Sequence, residues 1–122
     1  MDAAGIVFFG RFSSYVHEAM EHFFEPLEGG YARLIQERRV GLPAVALSFE
    51  FVRPLRYGET LRIEIATKRL GTKSAALSYT LREKVSGAVV ATCEHTIVST
   101  DLVAMRSTEM PADVRAVLER HL

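Results

Sequence analysis

The apolar residues of this chain change their spacing once, at Pro43, and that change limits the folds open to it. Before it, Phe12, Tyr15, Val16, Ala19, Met20 and Phe23 fall at i, i+3, i+4, i+7, i+8 and i+11. That is one stripe along a helix. After it, Val45, Leu47, Phe49 and Phe51 alternate with small or polar residues. Leu61, Ile63 and Ile65 repeat the pattern, as do Ala75, Leu77, Tyr79 and Leu81. A period of two marks strands with one buried face. Residues 89–98 are apolar or Thr at most positions, which predicts a strand buried on both faces. A striped helix followed by a run of strands is an α+β layout, in which the stripe packs on the apolar face of an antiparallel sheet.

The punctuation fits that layout. The first helix is expected over residues 12–24, with Pro26 and the Gly29-Gly30 pair ending it. Residues 31–39 read as a short second helix, closed by Gly41 and Pro43. Leu70-Gly71-Thr72 and Ser86-Gly87 are short enough for hairpins. Arg56-Tyr57-Gly58-Glu59 joins the first two strands. The four strands are therefore expected to be consecutive neighbours. A last helix is expected over residues 111–121, with Pro111 in its first position and Val114, Val117 and Leu118 on its apolar face.

At 122 residues the chain reads as one domain, residues 1–122. Its 15 basic and 15 acidic residues cancel, which leaves no electrostatic footprint for duplex nucleic acid or an anionic membrane. No apolar run approaches the roughly 20 residues of a membrane span, and no signal peptide is visible. A single cysteine, Cys93, excludes an internal disulfide and fits a reducing compartment. The expected location is cytoplasmic.

The chemistry concentrates at the start. Asp2 stands just before Ala3-Ala4-Gly5-Ile6-Val7-Phe8-Phe9-Gly10, and the striped helix follows. Backbone N–H groups at a helix start can hold developing negative charge. A neighbouring carboxylate can serve there as base or nucleophile.

This opening, the His17-Glu18-Ala19 step in the helix, and the segments G-L-P-A-V, F-V-R-P-L-R-Y-G-E-T-L and G-T-K-S resemble the 4-hydroxybenzoyl-CoA thioesterase family of hotdog-fold proteins. The similarity runs from Asp2 to about Val98. The resemblance implies a long helix wrapped by an antiparallel sheet, subunits that pair their sheets into a homodimer or a homotetramer of two dimers, and active sites at the subunit interface. It implies acyl-CoA or aroyl-CoA substrates, CoA being part of the substrate, with no other cofactor and no metal. Members of the family carry a strand of about ten residues before the aspartate. Only Met1 precedes Asp2 here, so the N-terminal strand is expected to be missing and the sheet to hold four strands from this chain. Residue by residue, the motif's aspartate matches Asp2, as nucleophile or general base. The helix-start donor that polarises the thioester carbonyl matches the backbone N–H of Phe9, helped by that of Gly10. Removing one such donor typically costs about 3 kcal/mol of transition-state stabilisation. The 71–74 turn lies where the family often meets the CoA nucleotide. Lys73 is suited to phosphate as a point charge, with Lys68 and Arg69 as weaker candidates.

Each of these residues has a plainer reading. Asp2 is a terminal acid or an N-cap. His17 borders the stripe, where it is a candidate for contact with the acyl group or simply a partly exposed helix histidine. Lys68, Arg69 and Lys73 fit a solvated hairpin edge, Glu18 a solvated helix position, and Cys93 a small core residue. His95, within the last strand, reads as a hydrogen-bonded core histidine. His17 and His22 are five apart and do not make an H-E-x-x-H zinc pair, and no G-x-S-x-G elbow is present. Three functions stay open: an acyl-CoA thioesterase, a carrier-protein acyl thioesterase, and a non-catalytic acyl-thioester-binding protein.

Overall fold

The striped segment forms helix α1, Gly10–Phe23, in a computed structural model that describes residues 10–56 and 58–122. The stripe divides in two. Phe12, Val16 and Met20 are buried, while Tyr15, Ala19 and Phe23 are half-buried on one flank. Phe24, just past the helix, is fully buried and stacks on Tyr31. A short helix α2 follows at Gly30–Gln36. Gly29 precedes it with φ of 75°, and a Cβ there would lie 2.3 Å from Arg33 Cδ, so the turn requires glycine.

Four strands make the main sheet: β2 (Ala44–Phe51), β3 (Leu61–Leu70), β4 (Ser74–Glu83) and β5 (Val89–Val98). Both expected hairpins form, β3 with β4 and β4 with β5. The expected consecutive order does not hold. The order is β2-β5-β4-β3, with β2 antiparallel to β5. The cause lies in residues 52–60. The N–H groups of Val52 and Arg53 both donate to the Val90 carbonyl, which keeps the chain against β5 as it leaves β2. Arg53 then grips Glu59 through two contacts of 3.2 Å and holds the crossover shut. β5 has a strand on each side, but its burial alternates: Val90, Ala91, Cys93, His95 and Ile97 are buried while Thr92, Glu94, Thr96 and Val98 are half-buried. The expected burial on both faces therefore does not hold, because α1 packs on one side of the sheet.

The cross-strand register sets one face. Phe49 pairs with Cys93, Tyr79 with Cys93, and Ile65 with Tyr79. Between the bulges, odd-numbered residues of the four strands therefore share a side, and α1 lies on it: Phe12 meets Phe49 and Phe51 edge-on. β3 carries a bulge between Thr67 and Arg69, with Lys68 as the extra residue.

Three two-residue strands form a second sheet that alternation does not reveal: β1 (Val40–Gly41), β6 (Thr100–Asp101) and β7 (Arg106–Ser107), in the order β1-β6-β7. Helix α3 spans Ala112–Glu119 and buries Val114, Val117 and Leu118. Pro111 sits at its N-cap with extended ψ of 146°, one place earlier than the first helical position expected. Arg38 clamps Asp113 through both carboxylate oxygens, at 2.5 and 3.0 Å.

Candidate functional site

Asp2 and Phe9 lie outside the described residues. Gly10 opens α1, so its N–H belongs to the first turn, whose donors find no acceptor within the helix. Phe12 fixes where that turn sits. Its ring centroid lies 5.1 Å from Phe51 and 6.5 Å from Phe49, which anchors the start of α1 at the Phe51 end of β2. Among the described residues β2 pairs only with β5, so its other edge takes no strand from them. The alternation of β2 predicts a buried face, yet Leu47 and Phe51 are 42% and 45% exposed. The stripe of α1 reaches this strand at its Phe51 end, through Phe12.

His17 is exposed, and its Nε2 lies 2.8 Å from Glu21 Oε1. Glu18 is exposed as well and stands over a groove of about 720 Å³ on the opposite flank of the helix. Phe23, Leu55, Leu61, Ile63 and Ile65 line that groove.

Two of the three candidate phosphate-binding residues are already engaged. Lys68 Nζ lies 2.9 Å from Glu94 Oε2, and Arg69 lies 3.9 Å from the same carboxylate. Lys73 is exposed in the β3–β4 turn, with no acidic partner among the described residues. Arg115 donates to the Gly71 carbonyl of this turn, and the Met110 N–H donates to Thr72, so α3 and the segment before it hold the turn in place. Within one chain the turn is far from the start of α1. Ser74 pairs with Val98, whereas Phe51 pairs with Ala91. Seven residues of β5 separate the two ends, about 23 Å.

Under α1, in the middle of the sheet, lies a polar pair. Tyr79 Oη and His95 Nδ1 are 3.0 Å apart, on the diagonal of a ladder in which Cys93 stands opposite Tyr79 and Leu77 opposite His95. Burial holds the Tyr79 hydroxyl protonated, lifts the Cys93 thiol to about 12, and depresses His95, with the charge of His17 adding to the last effect. Above an ordinary histidine value of 6.5 His95 is neutral both folded and unfolded. Below it the unfolded chain takes up a proton that the folded core resists, so stability falls as pH drops through 6.5 toward the depressed folded value. A second decline follows at lower pH, where Asp113, held down by Arg38, and Asp101, held down by the Ala104 and Val103 N–H groups, become protonated. Urea midpoints measured from pH 8 to 4 should show the first decline, and His95→Gln should remove it.

No grouping of three His, Cys, Asp or Glu among the described residues could hold a metal ion. No helix among them is long and apolar enough to cross a membrane.

The thioesterase-like superfamily matches this chain over residues 1–118. The chain belongs to that superfamily. A 1,4-dihydroxy-2-naphthoyl-CoA hydrolase of Thermosynechococcus vestitus is 32% identical over 80 residues, 66% of this chain and 55% of the relative. The chain thus matches little more than half the length of that relative. A protein of the same name from Nostoc punctiforme is 28% identical over 118 residues, 97% of this chain and 78% of the relative. Among solved structures, a thioesterase-superfamily protein of Jannaschia sp. superposes with a TM-score of 0.89 at 27% identity, over all of this chain and 85% of that one. A gentisyl-coenzyme A thioesterase superposes at 0.82 and 26% identity, over 97% and 90%. The α+β fold is the hotdog fold.

Proposed function

We propose that this hotdog protein hydrolyses acyl-CoA thioesters, aromatic ones foremost, in a cleft shared by two copies of the chain. The observation that carries this reading is the superfamily match over residues 1–118. The site geometry agrees with it. The start of α1, where an oxyanion would be held, lies at the Phe51 end of an apolar sheet edge. Two relatives at 26% and 28% identity are named for hydroxylated aromatic thioesters.

In the proposed reaction Asp2 attacks the thioester carbonyl carbon, or takes the proton from a water that does so. The C–S bond breaks and coenzyme A leaves as a thiolate. If Asp2 forms the acyl bond itself, water then cleaves the mixed anhydride. Backbone N–H groups of Phe9 and Gly10 hold the oxyanion.

The offset along β5 of about 23 Å between the level of the Lys73 turn and that of Phe51 argues for the second copy. An antiparallel pairing of two β2 edges sets the Phe51 end of one against the Ala44 end of the other. The Lys73 turn of the partner then comes to the same end of the joined sheet as the first chain's α1 start. Such pairing also covers Leu47 and Phe51 and gives that edge of β2 a partner. Sedimentation at micromolar concentration should show a dimer or tetramer, and a monomer alone would defeat the shared cleft. The functional reading is tested by assaying release of free thiol from a panel of aroyl-CoA, aliphatic acyl-CoA and acyl-carrier-protein thioesters. Turnover of the aroyl-CoA group above the others is expected. Exclusive turnover of carrier-bound thioesters would move the assignment to a carrier-protein thioesterase, and no turnover would leave a binding protein.

A further inference from the structure

His95 is a core histidine with an unused end. It is 5% exposed, and its Nδ1 is taken by the Tyr79 hydroxyl. Its Nε2 has no hydrogen-bond partner among the described residues. It is also absent from the fully enclosed unpaired polar atoms, of which Thr67 Oγ1 is the one example among the described residues. A polar nitrogen that is neither paired nor sealed opens on a surface. That surface is the α1–β2 side: His95 pairs across the ladder with the exposed Leu47 of the β2 edge, and its charge state senses His17 on the helix above.

The Tyr79 pairing decides what the free nitrogen offers. A phenol is a better donor than acceptor, so Tyr79 donates to Nδ1, and the proton of the neutral imidazole then resides on Nε2. A fixed N–H donor is therefore left on the face that His95 shares with Leu47 and Leu77. Its distance from the reaction site is also set. Leu47, directly opposite His95, lies four residues along β2 from Phe51, beside which α1 starts, about 13 Å. That is roughly the span of one hydroxylated aromatic acyl group with a hydrogen bond at each end.

We infer that His95 is a specificity-determining residue, whose Nε2–H donates to a hydroxyl oxygen on the far side of an aromatic acyl group from the thioester. This rests on the thioesterase reading above. Tyr79 is a positioning residue that acts through His95 by fixing its tautomer. No bond is made or broken at His95. It discriminates hydroxylated rings from bare ones and leaves the carbonyl chemistry to the start of the helix.

The test compares kcat/KM for 4-hydroxybenzoyl-CoA and benzoyl-CoA. The parent protein should prefer the hydroxylated thioester. His95→Phe should cut that preference by about tenfold, the worth of one hydrogen bond, through the hydroxylated substrate alone. His95→Gln, which keeps a donor, should retain part of it. A parent with no preference, or a preference unchanged in His95→Phe, overturns the inference while leaving the thioesterase reading intact. A parent that hydrolyses neither thioester, nor any other in the panel, overturns both. Should His95→Phe fail to fold, the imidazole ¹⁵N spectrum of the parent decides. The His95 Nε2 resonance should move on adding 4-hydroxyphenacyl-CoA, a non-hydrolysable analogue, and stay put with phenacyl-CoA. Equal responses overturn the inference.

Discussion

Asp2→Asn should lower kcat for thioester hydrolysis by roughly 10²–10⁴-fold and leave binding of CoA near the parent value. The substitution keeps size and removes the charge on which the proposed mechanism depends, whether Asp2 acts as nucleophile or base. Stopped-flow detection of released thiol gives kcat, and competitive inhibition by free CoA gives binding. Turnover at the parent rate would dismiss Asp2 from the chemistry, and Glu18, exposed on α1 above the groove, would be the next carboxylate to replace. Lost CoA affinity alongside lost turnover would point instead to a structural role for the aspartate.

Met20→Asp should cost roughly 4 kcal/mol or more, because it removes a buried thioether and puts a charge where no partner exists. Met20 is 2% exposed at the centre of the α1 stripe and belongs to the same buried cluster as Leu77, Tyr79 and Val117. A domain of this size has only about 5–15 kcal/mol in hand, so thermal unfolding followed by circular dichroism should show a midpoint many degrees lower, or no cooperative transition. An unchanged midpoint would mean that α1 does not pack on the sheet through this residue.

What the sequence revealed and what it hid follow from the range of the forces involved. The α1 stripe was legible because Phe12, Val16 and Met20 must all point one way to be buried. The two hairpins were legible because a short turn leaves a strand no neighbour except the next one. The place of β2 was not. Nine residues separate it from β3, and its partner is chosen by contacts with β5, such as the bonds to the Val90 carbonyl, that no local pattern encodes. The small sheet of β1, β6 and β7 was hidden because two-residue strands have no period. At the proposed site, a motif singles out Asp2, Phe9, Gly10 and Lys73, and of these the structure describes Gly10 and Lys73. The Tyr79–His95 pair was not legible, since it spans sixteen residues and exists only because Leu77, rather than Tyr79, stands directly opposite His95 in the register. That offset puts hydroxyl and imidazole on the diagonal, where long side chains reach one another.

The lone thiol gives the protein a built-in stopwatch. Cys93 is 4% exposed, on an inner strand, with its ionisation pushed up to about 12. Burial and that raised ionisation leave the folded thiol protonated and unreactive at pH 8. Labelling by a disulfide reagent therefore counts openings of the sheet around β5. Where reclosing outruns labelling, the rate reads the free energy of that opening. One absorbance trace on the unmodified protein would then report how firmly the strand that carries His95 is held.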